Sequence, residues 1–259
     1  MIEARELRFA YGEQPVLEGV SFTLDGGGLT ALLGGNGAGK TTLMHCMLGL
    51  QSNYEGALLL NGRDVRRYAA NELARLIAYI PQSHYPAFGY TALDMVLMGT
   101  TRQVGAFASP GAKQRAAALD ALDRMGIAAL AGRLFTRLSG GERQLVLIAR
   151  ALAQDARVLL MDEPTASLDY GHQLLLLEQA RTLSAGGYTL LMSTHNPQHA
   201  LLYADRALAL HAGRLIADGA PGDALTPALL QTLYGVETRL WDTPDGRAIL
   251  PVSAHVGSR

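Results

Sequence analysis

The sequence predicts an α/β fold: a mainly parallel sheet covered by helices, an antiparallel β subdomain, and an inserted helical subdomain. Three observations carry that reading. The apolar stretches Val158 to Met161, Thr189 to Ser193 and Ala207 to Leu210 read as buried strands, and helical patterns around Gln173 to Leu183 and Gln198 to Tyr203 separate them. Strand and helix alternate, as they do where parallel strands are joined by helical crossovers. The continuous apolar run Leu29 to Leu33 enters a glycine-rich turn and then the helical pattern Lys40 to Leu48, a buried strand feeding a helix. From Thr91 to Gln154 the texture is helical, which marks the insertion.

The remaining elements follow from local pattern. Ile2 to Phe9 and Val20 to Leu24 are short alternating runs set off by Tyr11-Gly12 and Asp25-Gly26-Gly27-Gly28, so they read as antiparallel strands joined by turns. Gly56 to Leu60 with Asn61-Gly62 reads as a hairpin strand, and Leu76 to Ile80 as a strand stopped by Pro81. Ser109-Pro110 is a helix start, with alanine-rich turns running on to Met125. After Gly219-Ala220-Pro221-Gly222 comes a short tail with one helix, roughly Pro227 to Tyr234. The expected organisation is a core with its β subdomain over 1–82 and 155–220, a helical subdomain over about 83–154, and a tail over 221–259.

Bulk composition excludes several classes. With 49% hydrophobic residues in 259, the chain can bury one large α/β core. Basic and acidic residues number 22 and 23, so no broad field points to nucleic acid or anionic lipid, and any anion site must be local. The longest apolar runs, Leu174 to Leu177 and Leu29 to Leu33, fall far short of the roughly 20 residues that cross a bilayer. The opening Met1-Ile2-Glu3-Ala4-Arg5-Glu6 lacks the apolar stretch of a secretory signal, so residence in the cytoplasm is expected. Cys46 is the single cysteine and reads as a packing residue, which excludes an internal disulfide and a thiolate metal cage.

Three motifs carry chemistry. Gly34-Gly35-Asn36-Gly37-Ala38-Gly39-Lys40-Thr41-Thr42 fits G-x-x-x-x-G-K-S/T and lies between a strand and a helix, the context that makes it a P-loop. The fold is therefore expected to be a P-loop NTPase core. The glycines let successive N–H groups turn inward around a phosphate, and the positive end of the following helix adds to the pull. Lys40 would supply a point charge to the β- and γ-phosphates of ATP, and the Thr41 hydroxyl would ligate Mg2+.

Leu159-Leu160-Met161-Asp162-Glu163-Pro164 sets two carboxylates at the end of an apolar strand, where open α/β sheets bind ligands. Asp162 would hold Mg2+ through water, and Glu163 would polarise the attacking water as general base. Leu138-Ser139-Gly140-Gly141-Glu142-Arg143-Gln144 contains an S-x-x-E capping box at a helix start, with the Gly140 and Gly141 amides at its positive end. That makes a second anion site. Capping alone explains Ser139 and Glu142, but not two glycines placed where they cost helix stability.

Taken together, these motifs resemble those of ABC-type ATPases over about the first 220 residues. The resemblance implies ATP hydrolysis with Mg2+, and a dimer in which Ser139, Gly140, Gly141 and Glu142 meet the γ-phosphate held by the P-loop of a second copy. It implies that Tyr11 stacks on adenine, with a core-edge tyrosine as the alternative. Gln82 matches the glutamine that senses Mg2+ and links the core to the helical subdomain, or is a solvated turn residue. Asp169 matches a loop that crosses the dimer interface, or caps the next helix. His195, directly after Leu190-Leu191-Met192-Ser193-Thr194, would contact the γ-phosphate and hold the attacking water in line, or begins a helix before Asn196-Pro197. His45, His84, His172, His199, His211 and His255 are given structural roles. Departures from the family pattern are Gly35, where Pro is frequent, and Thr41 for the commoner Ser; neither removes a needed donor or ligand.

The stretch Tyr90 to Gly99, and Leu225-Thr226-Pro227 with Leu233-Tyr234-Gly235-Val236-Glu237, resemble importer ATPases for iron-siderophores, haem, cobalamin and related metal chelates. This implies a peripheral protein on the cytoplasmic face of the inner membrane, a separate integral-membrane permease docking near Gln82 and the helical subdomain, and indirectly a substrate-binding protein. No nucleic acid is expected as a partner. An exporter ATPase, and a non-transport ABC ATPase acting in assembly with soluble partners, are the alternatives.

Overall fold

The computed structural model describes residues 1–82, 88–101, 110–243 and 246–254, so His84, Ser109 and His255 lie outside the described residues. Two compact units emerge, Met1–Tyr68 with Ala180–Arg259, and Ala69–Gln179.

The first unit opens with β1 (Ile2–Tyr11), β2 (Gln14–Leu24) and β3 (Gly28–Leu33), then α1 (Lys40–Met47), β4 (Glu55–Leu60) and β5 (Arg63–Asp64). Strands β2, β1, β4 and β5 form, in that order, an antiparallel sheet. Asn61 and Gly62, both at positive φ (50° and 78°), make the β4–β5 turn that the Asn-Gly pair predicts. Register shifts in β1 between Ala4 and Leu7 surround Glu6, which sits at φ 47°. Gly56 lies against this bulge: a Cβ there would strike the Arg5 and Glu6 carbonyls, so only glycine fits. β2 begins at Gln14, well before the expected Val20: the buried Leu17 belongs to the same strand, and Gly19, at φ 79°, interrupts the alternation that would have shown it.

The second unit contains α2 (Ala70–Leu76), β6 (Ile77–Ile80), α3 (Ala92–Thr100), α4 (Ala112–Arg124), α5 (Gly140–Ala153), β7 (Val158–Met161) and most of α6 (Tyr170–Ala185). β6 and β7 pair in parallel, with Ile80 opposite Met161. α3 starts on a reciprocal cap: Asp94 N–H donates to Thr91 Oγ1 at 3.1 Å, and Thr91 N–H to Asp94 Oδ2 at 2.9 Å. α4 begins at Ala112, past Pro110, with Gly111 N–H bonded to Gln114 Oε1 at 3.1 Å. α3 and α5 approach so closely at Gly99 that a Cβ would collide with the Arg150 carbonyl.

The chain returns to the first unit with β8 (Thr189–Thr194), α7 (Pro197–Tyr203), β9 (Arg206–His211), β10 (Arg214–Gly219), α8 (Pro221–Ala224), α9 (Pro227–Tyr234), β11 (Val236–Thr243) and β12 (Gly246–Ala254). β3 lies between β8 and β9, parallel to both, and β10 adds antiparallel to β9. Every residue of β8, and all of β3 but Gly28, is buried, as continuous apolar strands in a covered sheet must be. Ala200 of α7, Leu225 just after α8 and Leu233 of α9 cluster with Ala31 and Leu33 of β3. The free Cys46 is buried on α1, and burial pushes its thiol up to about 12.

The expected single-helix tail is corrected: α9 is followed by a β11–β12 hairpin. Val236, Thr238 and Leu240 alternate with the exposed Glu237, Arg239 and Trp241, and Asp245-Gly246 is a hairpin dipeptide, so the signal was present in the sequence. Among the described residues no helix is long and apolar enough to cross a membrane.

Gly99→Ala should overpack the α3–α5 contact and destabilise the chain by about 1 to 3 kcal/mol. The measurement is urea unfolding, with a lower midpoint and an unchanged slope expected.

Candidate functional site

In the first unit the site is built at the carboxyl ends of parallel strands. Leu33, the last residue of β3, is level with Thr194 of β8 and Ala209 of β9, so the turn that follows opens where doubly wound sheets receive ligands. Gly34 has no room for a side chain: a Cβ would strike the Leu210 carbonyl. Gly39, the cap of α1 at φ 104°, is equally constrained, since a Cβ would lie 2.9 Å from both the Val16 carbonyl and Leu17 Cδ2. Between them Asn36 and Gly37 are exposed, while Ala38 is buried and its N–H donates to the Gly35 carbonyl at 3.3 Å.

Lys40 opens α1 only 6% exposed. Its Nζ donates to the Gly34 carbonyl at 2.7 Å and the Gly35 carbonyl at 3.2 Å, which folds the ammonium over the loop. Thr41 faces outward and Thr42 is buried. His195 is exposed and follows directly on the buried Ser193 and Thr194; with Thr194 level with Leu33, His195 and Gly34 leave adjacent strand ends. Tyr11 ends β1 with 49% of its surface exposed, its ring edge-on to Phe9 at 4.8 Å between centroids.

In the second unit Asp162 follows β7 and is 6% exposed. Its N–H continues the strand pairing to the Ile80 carbonyl at 2.9 Å, and its Oδ2 accepts from the Tyr79 hydroxyl at 3.3 Å. Burial and the neighbouring carboxylate push the Tyr79 phenol well above its ordinary range, so it stays a donor. Glu163 sits at φ 44°, a left-handed conformation that a non-glycine residue adopts only where its surroundings force it. Gln82 is exposed, two residues past the end of β6.

Ser139 caps α5 as its sequence requires: Glu142 N–H donates to Ser139 Oγ at 3.2 Å, and Ser139 N–H to Glu142 Oε2 at 2.7 Å. The Ser139 N–H holds the Glu142 carboxyl below the usual range. Both glycines after Ser139 also have packing reasons. A Cβ on Gly140 would meet the Ser167 carbonyl at 3.2 Å, and one on Gly141 would collide with the His172 ring. Ser139 and Gly140 are exposed, whereas Gly141 is buried. Asp169 caps α6, accepting from His172 N–H at 3.0 Å while its other oxygen pairs with His172 Nδ1 at 2.7 Å. These two bonds lower the Asp169 carboxyl.

Residues 17–166 match the family described as ABC transporter, a span holding the whole glycine loop, the Ser139 helix start, Asp162 and Glu163. The chain belongs to the ABC transporter family. It is 40% identical to the hemin import ATP-binding protein HmuV of Burkholderia thailandensis, covering 98% of this chain and 100% of that one. An ABC transporter ATP-binding protein of Haemophilus influenzae is 42% identical over 81% of this chain and 80% of its own length. Among solved structures, a metal-chelate type ABC transporter in an inward-facing conformation matches with a TM-score of 0.85 at 30% identity, covering 98% of each chain.

A chain of this family binds a nucleotide, and the chemistry of the glycine loop fits a phosphate. At Gly37 an added Cβ would meet nothing within 4 Å, so the loop backbone faces open space, and Lys40 is the cation beside it. The groups expected at Mg2+, the Thr41 hydroxyl, the Gln82 amide and the Asp162 carboxylate, offer oxygen donors, the ligands a small hard cation takes. Sequence reasoning missed Tyr79, which orients Asp162, and gave His172 no part beside Asp169 and Gly141. Position three past Asp169 on a helix start was the available signal for His172.

Lys40→Ala should weaken ATP binding at least about tenfold by removing the loop's buried charge. Isothermal titration with Mg-ATP reads this directly, and unaltered affinity would place the phosphates elsewhere.

Proposed function

We propose that the chain is the ATP-binding and ATP-hydrolysing subunit of an ABC importer, energising uptake of an iron-siderophore, haem, cobalamin or similar metal chelate through a separate permease. The observation that carries this is the glycine loop, locked by Leu210 and Val16 with Lys40 buried against it and His195 on the adjacent strand end. The hemin-import and metal-chelate relatives support the substrate class and the direction of transport.

In this reading the loop amides and Lys40 bind the β- and γ-phosphates of ATP, and Tyr11 receives the adenine. Mg2+, when bound, neutralises charge on the phosphates. The Thr41, Asp162 and Gln82 side chains would hold it, and the Tyr79 hydroxyl fixes the carboxylate of Asp162 for that task. Glu163 accepts a proton from a water molecule whose oxygen attacks the γ-phosphorus; the bond to the β-bridging oxygen breaks, and ADP and phosphate leave. The place of Glu163 directly after Asp162, at the carboxyl end of β7, supports this role. His195 holds the water in line with that bond.

Two copies face each other in the ATP state, with the turn of one that holds Ser139, Gly140, Gly141 and Glu142 set against the γ-phosphate held by the other, and Asp169 at the interface. The segment 83–154 acts as the helical subdomain beside which the permease docks, at the cytoplasmic face of the membrane. Closure moves the permease only to the extent that the closed pair binds ATP better than the open one.

Glu163→Gln should retain ATP binding, lose hydrolysis by about a hundredfold or more, and persist as a dimer in ATP. Size-exclusion chromatography showing only monomer in that state would sink the two-copy arrangement. Co-purification from detergent-solubilised membranes should bring down a multi-helix permease. Recovery with soluble proteins alone would favour an assembly role instead.

A further inference from the structure

The C-terminal segment after Gly219 lies outside the span that matches the family, yet within the first unit it touches both sequences proposed to handle the γ-phosphate. At the glycine loop, a Cβ on Gly35 would come within 3.4 Å of the Leu233 carbonyl at the end of α9. Beyond His195, the contact is a two-point clasp. Gln198 Nε2 donates to the Arg247 carbonyl at 3.3 Å, and Ile249 N–H of β12 donates to Gln198 Oε1 at 2.8 Å. Both bonds are partly buried, so the amide is satisfied at both ends by hairpin backbone. The hairpin is itself anchored: the Arg247 guanidinium donates to the Gly222 carbonyl at 2.8 Å and to Asp242 at 2.7 Å.

His195 hangs between two supports. On its amino side Thr194 is locked by pairing of β8 with β3. On its carboxyl side stand Asn196 and the short helix α7, seven residues long. Asn196 N–H donates to Thr194 Oγ1 at 3.1 Å and its side chain caps Gln198 N–H at 3.0 Å. The inner face of α7 is pinned by the buried His199 and Ala200. What holds the first turn from the outer side is the Gln198 amide, one turn from the His195 imidazole. A two-turn helix has little stability of its own and takes its position from such contacts.

We infer that Gln198 is a positioning residue, through which the C-terminal hairpin sets the aim of the His195 imidazole for ATP hydrolysis. The inference rests on the proposed role of His195. Contacts of this kind decide whether a reacting group is held within a fraction of an ångström of its productive place.

The test uses the full chain with Mg-ATP. Gln198→Leu removes both bonds and leaves an apolar side chain one atom shorter; Ile249→Pro removes the hairpin's donor at a strand edge that tolerates proline. Either variant should lower kcat about tenfold while KM and the Kd for ATP stay within about twofold. Gln198→Glu, which keeps an acceptor for the Ile249 N–H, should recover part of the rate. In a His195→Ala background, followed by single-turnover hydrolysis, Gln198→Leu should cost nothing further, whereas a loss of mere stability would subtract the same factor again. A folded Gln198→Leu or Ile249→Pro chain with wild-type kcat, or a full additional loss in the His195→Ala background, overturns the inference and leaves the reading of the site intact. A His195→Ala chain as active as the wild type overturns both.

Discussion

The glycine loop is held in place by backbone meeting backbone. The Val16 carbonyl of β2 lies where a side chain at Gly39 or at Gly213 would have to go, and the Leu210 carbonyl does the same at Gly34. Hydrogen bonds tie the same pieces together: Gly213 N–H reaches the Ala38 carbonyl at 3.3 Å, and Glu18 N–H reaches the Gly213 carbonyl at 2.8 Å. The glycine loop is thus wedged among β2, the end of β9 and the turn after it. These contacts fix the loop's conformation, so a ligand bound there would cost little ordering entropy. With a net charge of -1 the chain offers no general attraction for an anion, and this local geometry plus Lys40 must supply all of it.

The second unit uses a different device for its acidic residues. Asp162 is buried and oriented by strand pairing and the Tyr79 hydroxyl, whereas Glu163, one residue on, leaves the strand through a strained left-handed turn. Adjacent residues in an extended strand point to opposite faces. The break at Glu163 lifts that restriction and frees its carboxylate from the alternation that Asp162 obeys, which suits two carboxylates assigned different work.

Much of this was legible in the sequence because the relevant residues act through local backbone rules. The P-loop, the Ser139–Glu142 cap and the continuous apolar strands each follow from a short pattern, and the coordinates place each on the expected element. The roles of the site side chains, by contrast, remain proposals. The β11–β12 hairpin lies in the stretch expected to hold one helix, and its alternation is half hidden because one face stays largely exposed. Contacts distant in sequence left no pattern to read: Tyr79 with Asp162 spans 83 residues and Gln198 with Ile249 spans 51. The strain at Glu163 was likewise invisible, because a residue before proline is steered to extended backbone at negative φ, and Pro164 pointed that way.

The glycines of the Ser139 turn show how one residue can answer to two constraints. From sequence, their cost to a helix start argued for a ligand. The structure supplies packing grounds as well: His172 fills the space beside Gly141, and Ser167 closes on Gly140. His172 is itself held by Asp169, so the turn before α5 and the turn before α6 are mechanically one piece. An anion approaching this piece finds the exposed Ser139 and Gly140, not Gly141, which lies buried under the imidazole. The Glu142 carboxylate sits at the same helix end, bonded to the Ser139 N–H, and offsets part of the positive potential there. A phosphate would therefore be recognised here through the Ser139 hydroxyl and the exposed first turn, with the strong cation, Lys40, supplied by the loop of the other copy in the arrangement proposed above. In that arrangement a weak anion site set against a strong one would suit a joint that must both close and open, because two strong sites would hold it shut.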